Sequence, residues 1–444
     1  MRSSTRREFL GQATATLASV GWLAQNQGKA QAADERPRLK VAAIITEFSY
    51  RSHAHVILEN FLKPYLFNGE WTDSGCDVVA MYIDQFPEGR DMARGVSAEF
   101  GIPIYATIGE AVRAGGKELG VDGVLSIAEH GDYPHNELGQ QMYPRKRFFD
   151  EIVAVYRQSG RVAPLFNDKH LSFRWDWARE MYDTARELKI PLMAGSSVPL
   201  AERRPPQELK PGEKLARGVS IHGGGLESYD FHGLEVLQSM VESRAGGERG
   251  VESVQLLEGE KLWQAGAAGE WPVELARAAM VAELGAEAPG LKEIVTAQTG
   301  DANKVHGILA CYRDGFQGTV LAIGGQNRWN FACERAGKSE PLATSFYVGP
   351  WVNRNLFKAL SHAIQTHFRQ RQAPFPVERT LLTTGMVDAA MHSHHEAGRV
   401  IETPHLAIEY QPVDFRAMRE MGATWKLIPE GTPEPPGIDP GGRP

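Results

Sequence analysis

The sequence predicts an α/β protein: a Rossmann-like, parallel-sheet N-terminal domain over 38–200, then an α+β C-terminal domain over 217–427 with a large, mostly antiparallel sheet. Three observations carry this. Residues 38–200 alternate short β-type runs with helical patterns, as expected of a parallel sheet covered by helices. ERRPPQELKPGEK, dense in proline and charge, then marks a linker over 201–216. Beyond it several β-type runs lie close together, with YRDGFQG as a hairpin signal between two of them.

LKVAAIIT reads as the first buried strand, and SHAHVILENFLKPYL has helical periodicity with Ser52 as N-cap. CDVVAMYID is the second strand and DMARGVSAEFG a helix closed by Gly101. A short strand at IPIYA, the helix TIGEAVRAGG and the strand VDGVLSIA follow. After an irregular segment come a helix (FFDEIVAVYRQSG), a strand (APLFND), a long helix (SFRWDWAREMYDTARELK) and a strand (IPLMAGSS). In the second half, strands fall near 217–222, 251–258, 305–312, 316–323, 328–334 and 342–348, and helices over 229–242, 272–284, 353–371 and 377–397. Pro376 before the last helix and Gly398 after it fit the proline-first, glycine-last asymmetry. The tail over 428–444, rich in proline and glycine, is expected to be disordered.

Composition narrows the function classes. A hydrophobic share of 42% and a charged share of 23% suit a globular protein. No apolar run approaches the roughly 20 residues of a membrane span, and no basic block suggests nucleic acid. Cys76, Cys311 and Cys333 are too few and scattered for a disulfide scaffold. Residues 1–33 read as a leader: Arg6 and Arg7 precede Phe9 and Leu10, ATATLASVGWLA is mildly apolar, and AQAA offers cleavage after Ala32. This resembles a twin-arginine signal, which implies the export machinery as a partner and a periplasmic or extracellular location.

PLFNDKHLSFRWDWAREMYDTARELKIPLMAGSS resembles the strand–EKP–helix–strand stretch of the Gfo/Idh/MocA oxidoreductases. VDGVLSIA before it, ESYDFHGLEVLQSM after it, and the late VERTLLTTGMVDAAMHSHHEAG with VIETPHL fall in that family's order. The resemblance spans about 38–410 and implies an NAD(P)-type fold acting on a sugar or polyol, with a homo-oligomer by analogy. It implies that Lys169 stands for the EKP lysine, with Asp168 and His170 in place of its neighbours, and His232 for the substrate-facing histidine. Four residues before His232, where the family often has an acid, this chain has Ser228.

The first strand–helix turn departs from the family. A dinucleotide site needs G-x-G-x-x-G for the pyrophosphate to approach backbone, whereas ITEFSYRSHAH contains no glycine. Ser52, His53, Asp84, Asp168 and Lys169 remain as the candidate cofactor contacts, with Asp84 ending the second strand where a ribose-binding acid would stand. EHGDYPHNELGQQMYPRKRFF hangs over the carboxyl edge of the sheet, where ligands bind. Its Glu129 and His130, with Lys169 and His232, form the candidate catalytic set; Tyr143, Arg145, His170 and Asp230 are the candidate substrate contacts. His53 and His55 are expected to face the same crevice, and such a His/carboxylate group suits a divalent metal or proton transfer alike. His392, His394 and His395 do not share one helix face and read as structural, as do Trp175, Trp177 and Met181.

Three functions are compatible with this pattern, in order of preference. The first is an exported Gfo/Idh/MocA-like oxidoreductase acting on a sugar, polyol or sugar derivative. The second is a dinucleotide-free lyase, isomerase or hydrolase of sugar derivatives on the same scaffold, with or without a metal. The third is a non-enzymatic sugar-binding protein.

Overall fold

The computed structural model describes residues 37–325 and 327–438, so the expected leader lies outside the described residues. Six strands form the first sheet: β1 (Leu39–Glu47), β2 (Cys76–Gln85), β3 (Ile104–Tyr105), β4 (Gly123–Ile127), β5 (Leu165–Asp168) and β6 (Leu192–Gly195). They are all parallel, in the order β3-β2-β1-β4-β5-β6, the dinucleotide-fold order. β1 is covered on both faces, which is why Val41–Ile45 reads as an unbroken apolar run and is wholly buried. Register decides where the strand ends emerge. Ile45 lies level with both Ile83 and Ile127, and Asp168 with Gly195, so the residues just past β1, β4, β5 and β6 emerge along one edge.

Five helices serve this sheet: α1 (His53–Leu62), α2 (Ala93–Phe100), α3 (Ile108–Val112), α4 (Arg145–Ser159) and α5 (Trp175–Glu187). Ser52 caps α1 as expected, accepting the His55 N–H, and Gly101 closes α2 at φ 66°.

The second sheet contains β7 (Glu202–Arg204), β8 (Leu215–His222), β9 (Val251–Glu258), β10 (His306–Tyr312), β11 (Gln317–Ala322), β12 (Trp329–Arg335), β13 (Leu342–Tyr347) and β14 (Ile401–Glu402). Its order is β14-β9-β10-β11-β8-β12-β13-β7, antiparallel except for β8 with β11. The helices are α6 (Ser228–Val241), α7 (Gly259–Ala267), α8 (Val273–Leu284), α9 (Leu291–Thr299), α10 (Asn353–Gln370) and α11 (Val377–His395). α11 packs on β6 of the first sheet, on β9 of the second and on α6, while α10 packs on α1. From Leu39 the chain therefore packs as one unit, and the boundary expected at 201–216 separates two sheets within it. No helix among the described residues is long and apolar enough to cross a membrane.

Three local features differ from expectation. Glu202–Arg204, placed in the linker by its charge, pairs with β13 as an edge strand, where charged residues are tolerated. α7 and α9 are too short for their periodicity to stand out. The tail, expected to be disordered from 428, has defined contacts up to Gly437. The Trp351 indole donates to Thr432 O at 2.9 Å, and Gly437 O lies 2.8 Å from His55 Nε2.

Candidate functional site

Between the first sheet's carboxyl edge and the face of α6 and β12 lies a crevice of about 290 Å³. That is the small end of ligand sites, with room for a small molecule. His53, Glu129, His130 and Lys169 line it from the first sheet; Ser228, Tyr229, His232, Asn327 and Trp329 line it from the second. Tyr229 and Trp329 stack with centroids 5.6 Å apart and ring planes 4° apart.

Lys169 is the hub. Its ammonium donates to Glu129 Oε1 at 2.7 Å and to Ser228 Oγ at 2.9 Å. Arg145, at the start of α4 and 1% exposed, donates to Glu129 Oε2 and, at 3.2 Å, to His170 Nε2. Burial alone would raise the Glu129 carboxyl; the Lys169 and Arg145 cations outweigh it and hold it well below the usual range. Glu129 is thus a fixed anion that keeps Lys169 in place. Asp168 Oδ2 lies 2.6 Å from His53 Nδ1 and orients that ring.

His232 is held neutral by its surroundings. Burial first, then the Lys169 and His53 charges, push its ring well below its ordinary value. Its Nδ1 is 2.6 Å from Ser196 Oγ, which also accepts the Val198 N–H at 3.0 Å. The Ser196 hydroxyl, with two lone pairs, accommodates a hydrogen bond from Nδ1–H beside the one from Val198, and that ring tautomer leaves Nε2 unprotonated. A neutral ring with a free Nε2 can take a proton from a ligand beside a lysine ammonium that steadies the developing negative oxygen.

Backbone strain concentrates here. Of ten described non-glycine residues with positive φ, Arg51 (61°), His130 (70°), Lys169 (63°) and Val352 (55°) line the crevice. Glu227 (60°) precedes the crevice residue Ser228. Such conformations each cost about 1–3 kcal/mol and gather where function requires an otherwise unfavourable placement.

Buried neutral histidines set a pH dependence. Burial, then Arg354, push His55 to about 4; burial, then His53, do the same to His130; and burial pushes His367 to about 4. In the unfolded chain these rings protonate near 6.5, so the unfolded state binds more protons between those values. Stability should therefore fall as pH drops from about 6.5 towards 4. A melting temperature at pH 5 equal to or above that at pH 7, at constant ionic strength, would contradict this assignment.

The first turn is filled by the protein itself. Phe48 is buried, and Glu47 accepts from Ser49 Oγ at 2.6 Å. From the tail, Glu434 accepts from Tyr50 Oη at 2.8 Å and Arg354 Nη1 at 3.2 Å, and pairs with Arg51. A carboxylate of the chain thus sits beside the turn that would cradle a pyrophosphate.

The structure brings His53, Glu129, His130 and Lys169, from the strand-end edge of the first sheet, into one crevice with His232, which faces them from α6. Other expected contacts are corrected. Ser52 spends its hydroxyl on capping α1. His55 turns away, accepting the Arg51 N–H at Nδ1. Asp84 is consumed by Tyr82, Tyr133 and Arg147 and offers no free ribose contact. Tyr143 packs edge-on against Tyr133. Arg145 and His170 lie behind Glu129, with His170 Nδ1 donating to Ser172 O at 2.8 Å. Asp230 is buried among other histidines, outside the crevice lining. Tyr229, Asn327, Trp329 and Ser196 were missed; only Ser228 carried a signal, as the residue standing where an acid is usual.

No family model and no curated protein matches the sequence. Solved structures do. That of GenD2 from gentamicin A biosynthesis, in complex with NAD, matches with a TM-score of 0.54 at 12% identity, covering 84% of this chain and 98% of that one. A probable dehydrogenase from Thermotoga maritima gives 0.50 at 10% identity, covering 83% and 100%. A myo-inositol dehydrogenase from Corynebacterium glutamicum gives 0.50 at 12% identity, covering 82% and 98%. These likenesses show a shared fold.

Proposed function

On the Gfo/Idh/MocA fold, we propose that this chain is an enzyme that moves protons on a sugar, polyol or sugar derivative, with Lys169 and His232 as the acid–base pair. The observation that carries the reading is their shared crevice: a lysine ammonium fixed by Glu129 and Ser228 stands with a neutral histidine beside the Tyr229–Trp329 stack. Apolar ring faces suit the C–H face of a sugar, while Lys169, His232 and Asn327 suit its hydroxyls. Removal of the proton beside a carbonyl by the neutral His232 ring, with the Lys169 ammonium on the carbonyl oxygen, followed by return of that proton to the neighbouring carbon in isomerisation or by loss of a leaving group in elimination, needs only these groups.

Hydride transfer to NAD(P) is the second reading, favoured by the scaffold. Against a dinucleotide in its usual pose stand the glycine-free turn, the buried Glu47 and Glu434 beside Arg51. Fluorescence titration with NADH should show no saturable binding at micromolar concentrations; micromolar affinity would turn the reading to an oxidoreductase. Proton transfer is tested by incubating the protein with oxo-sugars and sugar lactones in D2O and following solvent deuterium at carbon by NMR. No incorporation above buffer across such a panel would sink the acid–base reading.

Export by the twin-arginine route belongs to the same proposal. Changing Arg6 and Arg7 to lysine should hold the precursor in the cytoplasm, and normal export of that variant would refute it.

A further inference from the structure

Outside the crevice, His222 at the end of β8, Asp230 in the first turn of α6 and His306 at the start of β10 converge. Asp230 Oδ1 lies 3.0 Å from His222 Nε2 and 2.8 Å from His306 Nε2, and all three ligand-type atoms fall within 4.8 Å of one another. The side chains of His222 and Asp230 are 0% and 2% exposed, that of His306 12%. The other carboxylate oxygen accepts the Glu227 N–H at 2.9 Å. No lysine or arginine pairs with this carboxylate among the described residues. Among the described residues the two imidazoles are the basic groups this carboxylate meets, so three metal-type donor atoms share one enclosed spot with no lysine or arginine between them.

We propose that His222, Asp230 and His306 bind a divalent transition metal of the zinc class. Two imidazole nitrogens and one carboxylate oxygen, drawn from three different elements, are a donor set zinc accepts, with water completing a four-coordinate site. The metal takes the place of the two Nε2 protons. Its cost is one long contact: the Gly224 N–H now donates to His222 Nδ1 at 3.3 Å and gives way when that nitrogen carries the ring proton.

The placement gives the metal a task. Glu227, a non-glycine residue, is held at φ 60°, ψ −73°, with its N–H donating to Asp230 Oδ2 at 2.9 Å and its carboxylate accepting the Gln141 N–H at 2.9 Å. Anchoring Asp230 to two strands of the second sheet fixes this strained turn, and the turn delivers Ser228 to Lys169 and His232 to the crevice. None of the three ligands lines the crevice, so the metal positions α6 without touching substrate.

Full-length protein stripped with chelator and titrated with Co(II) should bind one equivalent with the intense visible absorption of a four-coordinate site. His306→Gln and Asp230→Asn should lose that band, while His392→Gln, an exposed histidine of α11, should keep it. Folding of each variant is followed by circular dichroism. Should both ligand variants unfold, the wild-type protein decides alone: micromolar Zn(II) should raise its melting temperature and chelator should reverse the rise. A wild-type protein that binds no cobalt, a band unchanged in folded His306→Gln, or a band lost instead in His53→Gln overturns the proposal.

Discussion

Lys169→Met should lower the rate of solvent-deuterium exchange by about 10²–10⁴-fold, the usual contribution of a positioned acid–base group. Methionine keeps the length of the side chain and removes the ammonium. Glu129 would keep its Arg145 partner, so the buried carboxylate stays compensated and the protein should fold. His232→Gln should cost a comparable factor in kcat with a smaller change in KM, because glutamine can still donate a hydrogen bond but cannot transfer a proton. Glu129→Gln should act through Lys169 and be rescued in part by Glu129→Asp. A loss below about tenfold for Lys169→Met in a folded protein would remove Lys169 from the chemistry.

Much of the first sheet was legible because its central strands are buried on both faces and write their positions as apolar runs; Val41–Ile45 is the clearest. The crevice residues that could be read, His53, Glu129, His130 and Lys169, sit just past strand ends, where topology alone decides which edge they occupy. A place at a strand end fixes where a Cα lies and not where its side chain turns. Asp84 and His170 occupy expected places yet spend their polar atoms on Arg147 and Arg145, which come from one helix, α4. Trp329 and Asn327 reach the crevice only because the second sheet packs over the first, a relation with no local periodicity. Glu434 was hidden for another reason: a proline- and glycine-rich segment carries no pattern until Arg51 and Arg354 supply its partner charges. The same limit concealed the His222–Asp230–His306 group, whose members lie on three separated elements.

Arg379→Ala should destabilise the fold by about 3–5 kcal/mol, the cost of leaving a buried charge without its partner. Arg379 lies in the first turn of α11, 1% exposed, with Nε donating to Glu242 Oε2 at 2.8 Å and Nη2 donating to Oε1. Glu242 directly follows α6 and is 2% exposed; its remaining contact is the Tyr410 hydroxyl at 2.9 Å. The guanidinium also stands 4.9 Å from the Phe375 ring centroid and 4.6 Å from that of Phe415, so truncation loses packing as well. Because α11 bridges the two sheets and α6 carries Ser228 and His232, this pair ties the crevice helix to the rest of the core. Denaturant unfolding should report a lower midpoint with little change in slope. The paired change Arg379→Met with Glu242→Gln should recover most of the loss, since replacing a buried ion pair by groups of similar volume is often neutral. A single variant within about 1 kcal/mol of the parent would mean that water or a neighbouring cation compensates Glu242, and that α6 is held instead by its amino-terminal contacts with Lys169, Ser196 and the histidine–aspartate group.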